Sequence, residues 1–392
     1  MFKHRGSLLL LTYLVISFSA CSKKPKDPEP DGIDHTDNSP LTANTDQLKT
    51  WTAWKSSKNS RFDMVFIGDS YIQANFFAYK VHDALLSGSF ADGGPGYCSF
   101  ARWNADLLNS IDGSIDNDQL TFTYEPAKWT SSTAGAATLG PCGYVTSKAA
   151  NAPIQVIGKV PLASLTLEYE KHPNAGEFRY RLNGGSWITV DESAATQAVG
   201  TLDIDVSGAG SNFTVDIEPL KAGEIFFGVL GRRTGNVLAF HKLGIGGATA
   251  GVFAQSTLWS TSTSLMTPKT AILLFGTNEM DGNISPAEMK VTMQNLVDKV
   301  RQMNAACDIM IVCPPETKLQ KEDPRKYKLG DYANMLYQLA LDNQAAYLNL
   351  SKVLGPFSQA SVDQGLMSDD RLHPGAKGSD KIADAILAIL NK

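Results

Sequence analysis

Residues 64–70 read MVFIGDS. Met64–Gly68 has the length and apolar, β-branched content of a buried strand, and the run breaks at Asp69-Ser70 before YIQANFFAYKVHDALL. Four later segments share its character: VLAFHKLGI (237–245), AILLFG (271–276), DIMIVC (308–313) and AAYLNL (345–350). Helical patterns lie between or after them, at 285–305 (SPAEMKVTMQNLVDKVRQMNA), 331–344 (DYANMLYQLALDNQ) and 378–392 (GSDKIADAILAILNK). Strand followed by helix, repeated, predicts a five-stranded parallel sheet covered on both faces, a three-layer α/β domain. Ser285-Pro286 supplies an N-cap and a first-turn proline for the longest helix.

Beyond the helical run that follows the first strand, the roughly 145 residues before the second have another character. SLTLEYE, EFRYRLNGGSWITV, TLDIDVSG, NFTVDIEPL and EIFFGVLG alternate polar and apolar residues, and the turns carry Asn-Gly-Gly and Ser-Gly-Ala-Gly. Such alternation predicts an antiparallel β-sandwich, with one face of each strand inward. The α/β domain is therefore expected from residues 47–95 and 236–392, with the sandwich, 96–235, inserted after its first strand and helix.

Ahead of these lies an address. MFKHRGS is a short basic segment, LLLLTYLVISFSA is apolar but too short to span a bilayer, and Cys21 follows Ser19-Ala20. This predicts a signal peptide over 1–20 and a diacylated Cys21, placing the protein in a bacterial cell envelope, tethered to the membrane. Losing Lys3 and Arg5 takes the net charge from −5 to −7. Residues 21–46, Pro-rich and polar, read as a flexible tether. No Lys/Arg block is dense enough to neutralise a row of phosphates, which argues against a nucleic-acid partner. Of the remaining cysteines, Cys307 and Cys313 end one strand, about 20 Å apart and beyond disulfide reach. Cys98 and Cys142 are the pair that could bridge, or both are buried thiols.

In an open parallel sheet, function collects beyond the carboxyl ends of the strands. Four segments reach that edge: Gly68-Asp69-Ser70, Gly244-Ile245-Gly246-Gly247, Gly276-Thr277-Asn278-Glu279, and SDDRLHPGAKGSD (368–380). Taken alone, Ser70 could be a helix cap, Asn278 a turn residue, Asp370 a surface acid and His373 a solvated loop histidine. Together they meet the needs of acyl transfer. Ser70 requires a base, His373 is the histidine in a Gly-Pro-rich loop near this edge, and Asp370 precedes it by three residues, within reach of its Nδ1–H. The oxyanion needs convergent donors, for which the Ser70 N–H, the Gly247 N–H and the Asn278 amide are candidates.

These segments resemble the four blocks of the SGNH, or GDSL-type, esterase/lipase family. The resemblance implies a flavodoxin-like hydrolase domain in which Ser70 is the nucleophile, Asp370 and His373 complete the triad, and Gly247 and Asn278 join the Ser70 amide as oxyanion donors. Glu279 stands where the family usually has Asp, and the Gly-Gly pair leaves Gly246 or Gly247 open as the donor. FADGGPGYCSF (90–100), with the inserted sandwich, is similar to peptidoglycan O-acetylesterases carrying a carbohydrate-binding-like domain at this point. That implies removal of O-acetyl groups from a cell-wall or other polysaccharide, in the envelope of a Gram-negative bacterium. A lipid or aryl ester hydrolase on the same fold, and a glycan-binding lipoprotein with a vestigial site, are the alternatives. The histidines show no HExxH or other paired spacing and there is no Cys-x-x-Cys, so no metal is expected. Gly244-x-Gly246-Gly247 lacks the full dinucleotide pattern and any Walker lysine, so no cofactor is expected either. His241, within a strand, reads as a satisfied core or edge residue.

Overall fold

Phe62–Gly68 is buried at every residue: Val65 and Ile67 join one apolar core and Met64 and Phe66 the other. With both faces covered, its apolar run needs no polar alternation. This strand, β2, belongs to a sheet that also contains β1 (Thr42–Ala43), β14 (Leu238–Gly244), β15 (Thr270–Leu274), β16 (Asp308–Cys313) and β17 (Ala346–Asn349). The order across the sheet is β1-β17-β16-β15-β2-β14. Five strands run parallel and β1 pairs antiparallel with β17. Helix Pro286–Met303 covers one face with Met289, Met293, Leu296, Val297 and Val300, a helical stripe. It starts with a capping box in which Ser285 Oγ accepts from Glu288 N–H and Glu288 Oε2 from Ser285 N–H. Helices Lys49–Ser57, Ala78–Gly88 and Ala376–Leu390 cover the other face.

The computed structural model describes residues 34–101, 119–132, 139–321 and 325–392. Cys21 and the signal segment lie outside them. The sixth strand corrects the sequence reading, which assigned 21–46 wholly to a tether. Ser39 Oγ lies 3.0 Å from Tyr347 Oη, Asn349 Nδ2 donates to Asp37 Oδ2 at 2.9 Å, and β1 covers the edge of β17. The segment has little apolar surface to bury, but its side chains hydrogen-bond to the sheet edge, and a polar composition conceals that kind of docking.

The inserted strands are β3 (Gly96–Ser99), β4 (Leu120–Tyr124), β5 (Trp129–Ser132), β6 (Tyr144–Ser147), β7 (Ile154–Gly158), β8 (Ser164–Lys171), β9 (Glu177–Leu182), β10 (Ile188–Asp191), β11 (Ala198–Asp205), β12 (Phe213–Pro219) and β13 (Ile225–Arg232). They form two antiparallel arrays, β10-β9-β12-β7-β4 and β11-β8-β13-β6-β5, with β3 also paired to β13. Phe178, Phe213, Val215 and Ile217 of the first share a core with Leu165, Leu167, Phe226 and Val229 of the second. Along β12 the alternate residues Asp216 and Glu218 pair with Arg181 and Arg179 of β9. The insertion also joins the α/β layer: Tyr97, Cys142 and Leu230 belong to a core of the parallel sheet, and Ser262 Oγ donates to Glu168 Oε1 at 2.9 Å. Cys98, Cys142, Cys307 and Cys313 are buried and form no disulfide among the described residues.

Candidate active site

At the carboxyl end of β2 the chain turns through Asp69 into a four-residue helix, Ser70–Gln73, which Asp69 caps by accepting from Tyr71 N–H at 3.0 Å. The turn leaves Ser70 half-buried at the sheet edge. Gly244, at the end of β14, makes room for it: a Cβ there would lie 2.0 Å from the Gln73 backbone nitrogen. Ser70 Oγ lies 2.7 Å from His373 Nε2, and His373 Nδ1 lies 2.6 Å from Asp370 Oδ2. With Nδ1–H donating to the carboxylate, Nε2 is the lone-pair nitrogen facing the serine hydroxyl.

The acid is held by its own turn. Asp370 Oδ1 accepts from Ser368 Oγ at 2.6 Å, Leu372 N–H at 2.8 Å and His373 N–H at 2.9 Å. Partial burial pushes its pKa up, but the hydrogen bonds from His373, Ser368 and Leu372 outweigh this and hold the carboxyl well below the usual range. His373 is fixed by packing as well. Phe76 stacks on the imidazole at 5.3 Å and 23°, Tyr71 lies at 5.3 Å, and the Tyr71 hydroxyl donates to Leu372 O. Lys318 Nζ donates to Asp370 O at 3.0 Å. Sequence reasoning missed Tyr71, Phe76, Ser368 and Lys318. Tyr71 and Phe76 lie some 300 residues from the histidine they pack on, and no local pattern marks them.

The other predicted residues converge on the same edge. Gly247 has φ +75°, is exposed, and belongs to the left-handed region that favours glycine, whereas Gly246 is buried with no such requirement. Neither the Gly247 N–H nor the Ser70 N–H has a hydrogen-bond partner among the described residues. Asn278 Nδ2 donates to Ala248 O at 2.9 Å and to Asp69 Oδ2 at 3.2 Å, which ties its amide to the loops of both. Glu279, the departure from the family pattern, is 1% exposed; Oε1 accepts from Ala250 N–H at 2.8 Å and Oε2 from Gly276 N–H at 2.9 Å. Burial pushes its pKa up to about 6 against those two donors. Asp69, also buried, is pushed up to about 8 by desolvation, and the nearby Glu279 adds to the shift.

His241 lies apart from this edge. It is fully buried, with Nε2 2.9 Å from Asp63 Oδ1 and Nδ1 accepting from Tyr97 N–H at 3.2 Å. Desolvation lowers its pKa despite Asp63. It is a satisfied core residue.

Residues 210–381 match the profile of the GDSL-like lipase/acylhydrolase family. The match begins within the insertion and leaves out Ser70, which the inserted strands separate in sequence from the other blocks. A solved peptidoglycan O-acetylesterase matches 90% of this chain and 99% of its own, with a TM-score of 0.69 at 17% identity. At that identity the likeness shows a shared fold, and it extends through the insertion. A Bacillus subtilis protein matches 69% of this chain and 90% of its own at 13% identity, with a TM-score of 0.36. An acetylxylan esterase from Geobacillus stearothermophilus matches 40% and 74% at 18% identity, with a TM-score of 0.33. No curated protein matches the chain.

Proposed function

We propose that the chain is a serine esterase, of the kind the GDSL-like lipase/acylhydrolase profile matched over residues 210–381 describes, and that it removes O-acetyl groups from a cell-wall or other polysaccharide. The observation that carries the reading is the unbroken relay from Ser70 Oγ through His373 to Asp370, at 2.7 and 2.6 Å. Ser70 Oγ attacks the acetyl carbonyl carbon while His373 Nε2 takes the hydroxyl proton. The carbonyl oxygen, now an oxyanion, accepts from the Ser70 and Gly247 N–H groups and the Asn278 amide, whose 3.2 Å bond to Asp69 is the longer of its two and the one a substrate oxygen can replace. Collapse breaks the bond to the sugar oxygen, which leaves with the proton from His373. Water, deprotonated by His373, then attacks the acetyl-enzyme and releases acetate with the regenerated serine.

Two features support an acetylated glycan over a long acyl chain. The fold shared with the peptidoglycan O-acetylesterase spans both parts of this chain. The first inserted strand, β3, packs beside β14, whose carboxyl end lies next to that of β2 and Ser70, so the insertion can hold a polymer near the site. Anchoring through a diacylated Cys21 in the envelope of a Gram-negative bacterium completes the proposal. The decisive experiment measures acetate released from a panel of acetylated polymers, beside aryl esters of increasing acyl length and titration with a serine-directed phosphonate. Acetyl preference, acetate release from a polymer and labelling at Ser70 are expected. Preference for acyl chains of about eight carbons would move the reading to lipid esters; no labelling and no turnover would leave a glycan-binding protein.

A further inference from the structure

The insertion contains two glutamates that the esterase reading does not use. Glu192 follows β10 and Glu224 precedes β13, so they come from different antiparallel arrays, and both are 0% exposed. Both residues bond to Gly176, and burial together with the neighbouring Glu224 carboxyl disfavours ionisation of Glu192. Glu224 Oε1 accepts from Gly176 N–H at 2.9 Å, and Glu192 N–H donates to Gly176 O at 3.1 Å. Three carboxylate oxygens, both of Glu192 and Oε2 of Glu224, have no hydrogen-bond partner among the described residues.

An isolated buried carboxylate is strongly disfavoured, and two in contact are worse. A shared proton would satisfy one oxygen on each side chain and leave the second Glu192 oxygen buried with nothing to bind. Lys221 does not fill the need: its Nζ donates to Asn174 O and lies 3.7 Å from Glu224 Oε1, the oxygen already paired with Gly176. A hard divalent cation supplies what is missing, because it takes carboxylate oxygens as ligands and its charge balances both carboxylates.

We propose that Glu192 and Glu224 form a binding site for a divalent cation of the calcium class, which pins the two arrays of the insertion together at this end. No group of three or more His, Cys, Asp or Glu side chains with metal-binding geometry occurs among the described residues, so the two glutamates are the acidic ligands of this site and oxygen ligands of other kinds would fill the rest of the shell. Motifs built on His and Cys spacing do not find such a site, since its acidic ligands are only two and lie far apart in the sequence.

The test uses the purified chain, stripped with EDTA and desalted, then given Ca²⁺ or Mg²⁺ at about 1 mM, a concentration that fills extracellular calcium sites. One Ca²⁺ per chain should survive gel filtration by elemental analysis, and the melting temperature should rise by roughly 5 °C. Glu192→Gln should abolish both responses while leaving aryl-acetate turnover unchanged. No retained ion together with an unmoved melting temperature, or a Glu192→Gln protein that binds Ca²⁺ as the wild type does, overturns the proposal in favour of a shared proton. Should the variant fail to fold, the wild-type ion count and melting shift still decide.

Discussion

Asp370 gives one carboxylate oxygen to its own turn and the other to His373, so on the proposed esterase mechanism positioning and catalysis would meet in a single side chain. Asp370→Asn presents an amide where Nδ1–H needs an acceptor, which favours the wrong imidazole tautomer. Acylation should slow by about 10³–10⁴, measured as aryl-acetate turnover, with the far-UV circular dichroism unchanged. Asp369→Asn should have little effect, because Asp370 is the neighbour that reaches the imidazole; the reverse ranking would show that the turn has been misread. Since the Asp370 carboxyl is held well below its usual range, its contribution to stability is present above the unfolded pKa and is lost only in stronger acid. Ser70→Ala should abolish turnover while the protein stays folded, and Asn278→Ala should lower kcat by about 10²–10³. Turnover within tenfold of wild type for Ser70→Ala would sink the nucleophile assignment.

At the next scale, the loops that carry Gly247 and Asn278, the proposed oxyanion donors, are fastened to one another by the Glu279 carboxyl. Glu279 joins the N-terminus of helix Thr277–Asp281, through Gly276 N–H, to the N-terminus of helix Ala250–Gln255, through Ala250 N–H. Gly247 lies on one side of this clamp and Asn278 on the other. Glu279→Ala strands two buried donors at about 1–3 kcal/mol each and frees the two loops to move apart. Both a lower melting temperature and a kcat loss with little change in KM are expected, because the donors act chiefly in the transition state. Glu279→Asp restores the charge with a shorter reach and should recover part of both. A variant that loses stability but keeps kcat would confine Glu279 to folding.

For the whole molecule, the insertion is built into the catalytic layer. Tyr97, Cys142 and Leu230 fill one of its cores, Trp259 Nε1 donates to Pro141 O at 3.0 Å, and β3 contacts β14 beneath the active-site edge. Replacing residues 100–232 with a short linker would strip this cover, so the excised protein should aggregate rather than survive as a smaller esterase. The seam also carries a titratable group. Burial pushes the Glu168 carboxyl up to about 8, although Ser262, Tyr97 and Arg232 favour its ionised form. A folded pKa above the unfolded one makes its contribution complete below about pH 4.3 and lost as pH rises through about 8. Wild-type stability in urea should fall across that window, and Glu168→Gln, which keeps an acceptor for Ser262 and a donor group, should flatten the fall. Parallel curves for the two proteins would rule out Glu168 as its source.

How much of this was legible in the sequence depends on the range of the interaction. The buried strands β2 and β14–β17 announce themselves because both sheet faces are covered, which forces continuous apolar runs, and the inserted strands because one covered face forces alternation. The spacing of Asp370 and His373 was legible for a similar reason, since three residues of chain bring the carboxylate to the imidazole. β1 was not: two residues in a polar segment become a strand only when β17, some 300 residues away, offers its edge. Nor could the sequence show Phe76 stacked on His373, Glu279 bridging two helix starts, or Glu192 buried against Glu224. Periodicity records how a residue sits relative to its neighbours along the chain. Which polar group is buried, and what it meets there, is decided only when distant segments converge.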